Sequence, residues 1–133
     1  MAKGSHQILI VDDLPDWRMT LGGLLTDAGY QVQVAGSTTR ALELLRGNRF
    51  DLAVLDIRLD ESNEDNTEGL DLAAEIRKSW PDVKIIIVTG YNISVNMQQA
   101  LEPNSQGQKL ADDYIPKDQS GELIQVVQKA LAH

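Results

Sequence analysis

The chain has 133 residues, a formal net charge of −8 and 42% hydrophobic residues, a composition that fits one globular domain with one core. The acidic balance argues against direct nucleic-acid binding, and the absence of cysteine removes disulfides and thiolate metal sites. The only histidines are His6 and His133, so metal chemistry must rest on oxygen ligands, which favours magnesium or calcium over zinc.

Residues 1–6 read as an N-terminal tail without the apolar core of a signal peptide, and 7–133 as the folded domain. No apolar run approaches the roughly 20 residues that span a bilayer, so no membrane association and a cytoplasmic location are expected.

Residues 7–11 read as a buried strand. Leu14-Pro15-Asp16 opens a helix on which Trp17, Leu21, Leu24, Leu25 and Ala28 recur at helical spacing, with Gly29 as its stop. Residues 31–35 alternate, with Val32 and Val34 on one face. Ser37 or Thr38 can cap a helix carrying Ala41, Leu44 and Leu45 that stops at Gly47-Asn48. Residues 52–55 form the third strand. Gly69 precedes a helix with Leu70, Ala73 and Ile76, ended by Trp80-Pro81. Residues 84–88 are the most strand-like, 93–101 form a weak helix, and 113–115 a short fifth strand. Ser120 or Asp118 can cap a last helix bearing Leu123, Ile124, Val127 and Leu131.

This alternation predicts a parallel five-stranded α/β sheet, covered on both faces by five helices, in one domain. Strands one, three and four are apolar throughout, as central strands are. Strand two alternates and strand five is short, as edge strands tend to be.

Polar residues end these apolar runs. Asp12 and Asp13 follow strand one, Asp56 strand three, Thr89 strand four and Lys117 strand five. In an open parallel sheet, that end holds the ligand. Taken singly, the Asp pair would read as a helix cap, Thr89 as a turn residue and Lys117 as a solvated lysine. Their shared position argues for one pocket. Clustered carboxylates repel unless a cation joins them, and magnesium takes oxygen ligands and works with phosphate. Carboxylates, magnesium, a lysine and a hydroxyl are the parts required for phosphoryl transfer to a carboxylate.

The runs Ile8-Leu9-Ile10-Val11-Asp12-Asp13, Leu52-Ala53-Val54-Leu55-Asp56-Ile57-Arg58, Ile86-Ile87-Val88-Thr89-Gly90 and Ala111-Asp112-Asp113-Tyr114-Ile115-Pro116-Lys117 resemble the receiver domain of two-component response regulators. The resemblance implies a flavodoxin-like sheet of strand order 2-1-3-4-5. It implies Asp56 as phosphoacceptor, served by Thr89 and Lys117. Asp13, Asp56 and the backbone carbonyl of Arg58 would bind Mg2+ directly, and Asp12 chiefly through water. Thr89 and Tyr114 would form the conformational switch. Arg58 and Tyr91 would tune the lifetime of the acyl phosphate. The implied partners are a sensor histidine kinase or phosphotransfer protein as donor and an output partner or attached effector domain. The face of the predicted 93–101 and last helices would be the place for a homodimer. The domain would catalyse only its own phosphorylation and dephosphorylation.

The sequence departs from the family pattern at several places, among them Asp60 where the loop after Asp56 usually has a proline. Asp118 stands where proline usually follows the lysine. The acidic stretch 60–68 lengthens the loop after Asp56 and reads as solvated, with calcium binding disfavoured because it lacks EF-hand spacing. The segment between Thr89 and Lys117 is also long, and Leu110 replaces the common glycine. A haloacid-dehalogenase-type phosphatase would need a second aspartate where Arg58 stands. A flavin-binding domain would need a phosphate loop where Asp12-Asp13-Leu14-Pro15 stands. A receiver that binds partners without phosphorylation is the remaining alternative, resting on the Lys117-Asp118 change.

Overall fold

The computed structural model describes residues 6–56, 68–89, 102 and 110–132. Its elements run β1 (Gln7–Val11), α1 (Pro15–Asp27), β2 (Gln31–Ala35), α2 (Thr38–Gly47), β3 (Leu52–Asp56), α3 (Glu68–Ser79), β4 (Lys84–Thr89) and β5 (Asp113–Pro116). A 3-10 segment, Lys117–Glu122, leads into α4 (Leu123–Leu131). The helix expected over 93–101 lies outside the described residues.

The five strands form one parallel sheet in the order β2-β1-β3-β4-β5. Alternation along each central strand divides its apolar side chains between two cores. Leu9, Val11, Ala53, Leu55, Ile85 and Ile87 join Ala41, Leu44 and Leu45 of α2 and Leu72, Ala73 and Ile76 of α3. Ile8, Ile10, Leu52, Val54, Ile86 and Val88 join Leu21 and Leu25 of α1 and Leu123 and Val127 of α4. Trp17 packs against this second core from the start of α1. Strand two is an edge, as its pattern suggests, and Val34 is exposed.

Helix boundaries follow local chemistry. Helix α1 begins with Pro15 in its first turn and Leu14 as N-cap, without a side-chain cap. It ends in a Schellman arrangement: the Gly29 amide donates to the Thr26 carbonyl (3.0 Å) and the Tyr30 amide to the Leu25 carbonyl (3.1 Å). Gly29 has φ +99°, the left-handed conformation that glycine adopts without penalty. Ser37 caps α2, its Oγ accepting from the Arg40 amide at 3.2 Å. The last helix starts later than a cap at Ser120 or Asp118 would place it. Its N-cap is Glu122, with no side-chain cap bond, because the 3-10 segment takes up the residues expected to start it. Helix α3 begins at Glu68, so Gly69 lies in its first turn.

Candidate metal and phosphoacceptor site

The chain leaves β1, builds β2 on one side, then crosses to build β3 on the other. The β1–β3 crevice is therefore the switch point of strand order, where open α/β sheets bind ligands. Val11 pairs with Leu55, so Asp12 and Asp56 are the next residues along adjacent strands. Asp12 is 1% exposed and Asp56 3%, the buried charged residues among those described. Asp13 is partly buried beside them. Each of the three carboxylates offers an oxygen within 4.8 Å of those of the other two.

Two like charges about 4 Å apart repel by about 4 kcal/mol at an effective dielectric of about 20. The fold holds this arrangement by tying down the backbone that carries it. The Asp12 amide donates to the Ala35 carbonyl at 3.1 Å. Asp12 Oδ1 accepts from the Leu14 amide at 3.0 Å. The Asp12 carbonyl accepts from Arg18 Nη1 at 2.7 Å. The Asp pair therefore does not cap α1; Asp12 braces the turn that leads into it. An all-oxygen donor set, two members of it buried, matches a hard divalent cation such as magnesium.

Thr89 ends β4, paired with Pro116, so the backbone brings Thr89 and Lys117 to the same sheet end as Asp56, which pairs with Val88. The side chains of Thr89, Lys117 and Asp118 lie outside the described residues, as do Arg58, Tyr91 and the acidic stretch 60–67. Tyr114 is on β5, paired with Ile87, and is 48% exposed.

Sequence reasoning missed Arg18 and Gly36. Arg18 is the lone basic residue of α1 and stands near the helix N-terminus. A cation there opposes the helix dipole, a signal that it has a local partner. It missed Arg77 as well. That side chain donates from Nε to the Leu110 carbonyl (3.2 Å) and from Nη2 to Asp112 Oδ2 (2.9 Å). The same carboxylate oxygen accepts from the Ile85 amide at 2.8 Å, tying α3 to the entry of β5.

The family model of the response regulator receiver domain matches residues 8–128. The chain belongs to that family. It is 33% identical over 128 residues to the nitrogen assimilation regulatory protein NtrX of Azorhizobium caulinodans, covering 96% of this chain and 26% of the relative. It is 33% identical over 134 residues to the transcriptional regulatory protein ZraR of Escherichia coli, covering 100% of this chain and 28% of that one. The chain thus spans about a quarter of the length of these curated relatives. Among solved structures, a CheY-like receiver domain protein from Methanospirillum hungatei superposes with TM-score 0.79 at 30% identity, covering 97% of this chain and 95% of that one. The response regulator TrrA of Thermotoga maritima, solved in complex with Mg(2+)-BeF, gives TM-score 0.75 at 32% identity, covering 95% and 99%.

The receiver fold and strand order expected from the sequence are those observed. A receiver domain is a signalling switch, not a metabolic enzyme, and works with a histidine kinase and an output effector. Receiver domains generally bind Mg2+ through an acidic cluster, and Asp12, Asp13 and Asp56 form such a cluster here. No helix among the described residues is long and apolar enough to cross a membrane.

Proposed function

We propose that this receiver domain, residues 7–133, takes a phosphoryl group onto Asp56 from a phosphohistidine in a magnesium-dependent reaction. The convergence of Asp12, Asp13 and Asp56 at the β1–β3 switch point carries this reading. The relative TrrA, solved with Mg(2+)-BeF, supports it.

In this reading Asp13, Asp56 and the Arg58 carbonyl would hold the metal, with Asp12 acting chiefly through water. Magnesium, when bound, supplies charge that offsets the carboxylates and the phosphoryl oxygens. An Asp56 carboxylate oxygen attacks phosphorus in line. The phosphorus–nitrogen bond of the donor breaks, its electron pair stays on the imidazole, and an acyl phosphate remains. Lys117 pairs with the phosphoryl oxygens and Thr89 donates a hydrogen bond to them. Tyr114, half exposed in this structure, turns inward as Thr89 shifts, and so biases a pre-existing equilibrium. Arg58 and Tyr91 limit water access to the acyl phosphate.

The donor is a sensor histidine kinase or phosphotransfer protein in the cytoplasm. The output is a partner or an attached effector domain, in keeping with the transcriptional regulatory protein ZraR among the relatives. A homodimer would use the 93–101 and α4 face. The domain's net charge of −8 disfavours direct nucleic-acid contact.

Incubation with acetyl phosphate, with and without magnesium, followed by intact-mass measurement tests the reading. One phosphoryl adduct is expected, dependent on magnesium and absent from Asp56→Asn. No adduct under any condition would support the receiver that signals without phosphorylation.

A further inference from the structure

The peptide joining Asp12 to Asp13 is held from three directions. Its approach is fixed by the Asp12 amide on the Ala35 carbonyl. The Asp12 side chain is fixed by the Leu14 amide. The peptide plane itself is fixed by Arg18, whose Nη1 meets the Asp12 carbonyl at 2.7 Å. That carbonyl and the Asp13 nitrogen belong to one rigid plane, so holding the carbonyl aims the Asp13 Cα and the carboxylate it carries. A charged donor makes a stronger bond of this kind than a neutral one.

Gly36 completes the arrangement. It follows β2 directly, and a Cβ on it would stand 2.8 Å from Arg18 Nη1 and 3.3 Å from Arg18 Cζ. The guanidinium therefore lies over Gly36 in space that any side chain would take. An alanine there would push aside the end of a flexible arginine, not the backbone, and would leave every charge in place.

We propose that Arg18, seated on Gly36, is a positioning residue for the metal-binding carboxylates, acting through the Asp12 carbonyl. This rests on the reading of the acidic cluster as a magnesium site. Groups that orient a metal's ligands commonly change metal affinity by about 10–100-fold when removed.

Calorimetric titration of the full chain with magnesium tests the proposal, beside thermal melting of each variant. Arg18→Ala is expected to weaken magnesium binding about tenfold, with Arg18→Lys recovering part of the loss. Gly36→Ala, which keeps the arginine but displaces it, is expected to weaken binding several-fold. The double variant is expected to bind no worse than Arg18→Ala alone, because both changes break one interaction. Gly36→Ala carries the test if Arg18→Ala does not fold. A purely structural role would lower the melting temperature and leave the affinity of the folded protein unchanged. Binding by Arg18→Ala and Gly36→Ala within about twofold of the parent, or losses that multiply in the double variant, would overturn the proposal and leave the site reading intact. A parent that binds no magnesium overturns both.

Discussion

Asp12 and Asp56 bring carboxylate oxygens within 4.8 Å of each other from adjacent strands, though the two residues are only 1% and 3% exposed. Carboxylates this close repel one another, and a cation bound among them offsets that repulsion. Removing one charge should therefore stabilise the metal-free protein while destroying the site. For Asp13→Asn, the melting temperature without magnesium is expected to rise by about 4 °C for each kcal/mol of repulsion relieved. In the parent, magnesium at about a hundred times its dissociation constant should add about 2.7 kcal/mol, and in Asp13→Asn much less. Scanning calorimetry with and without magnesium checks both halves.

Asp112 has two duties, and they are unequal. Its carboxylate pairs with Arg77 at a partly exposed position and also accepts from the amide of Ile85, a fully buried residue. Asp112→Ala removes the acceptor for that amide as well as the partner of Arg77, a loss of about 1–3 kcal/mol. Arg77→Ala leaves the Ile85 bond in place and should cost less. Urea unfolding of the two variants gives the order directly.

Ile86 sits at the centre of β4 with no exposed surface, packed in the core beneath α1 and α4. Ile86→Ala should cost about 2–5 kcal/mol, the loss of buried methyl groups plus the cavity they leave. Met19→Ala, at 78% exposure, should be nearly neutral. Denaturant midpoints compare the two.

Phosphoryl lifetime should depend on Tyr91 and Arg58. A Tyr91→Ala, Arg58→Ala double variant is expected to lose its phosphoryl group faster than the parent. The decay of the adduct after donor removal, followed by mass, measures this. An unchanged rate removes these two residues from the account.

Much of this fold was legible because its signals are local and redundant. Ile85-Ile86-Ile87-Val88 is apolar on both faces, which only a central strand covered on both sides satisfies. Gly29 marks a helix end by a conformation other residues avoid. The acidic cluster was legible because each aspartate interrupts such a run where burial is costly. Arg18 was not, because its partner is a backbone carbonyl six residues earlier, and no side-chain pattern reports on that. The Arg77–Asp112 link joins residues 35 apart in the chain, a distance over which periodicity carries no information. The start of α4 was misjudged because Ser and Asp are good caps in general, whereas a 3-10 turn occupies Lys117–Glu122.

The most direct measurement asks which carboxylate carries phosphate. After reaction with acetyl phosphate and magnesium, borohydride reduces an aspartyl phosphate to homoserine, and peptide sequencing by mass spectrometry locates it. Conversion of Asp56 alone, and only in samples containing magnesium, is the predicted result. Conversion at Asp12 or Asp13, or none at Asp56 with magnesium and donor present, would contradict the assignment of the phosphoacceptor.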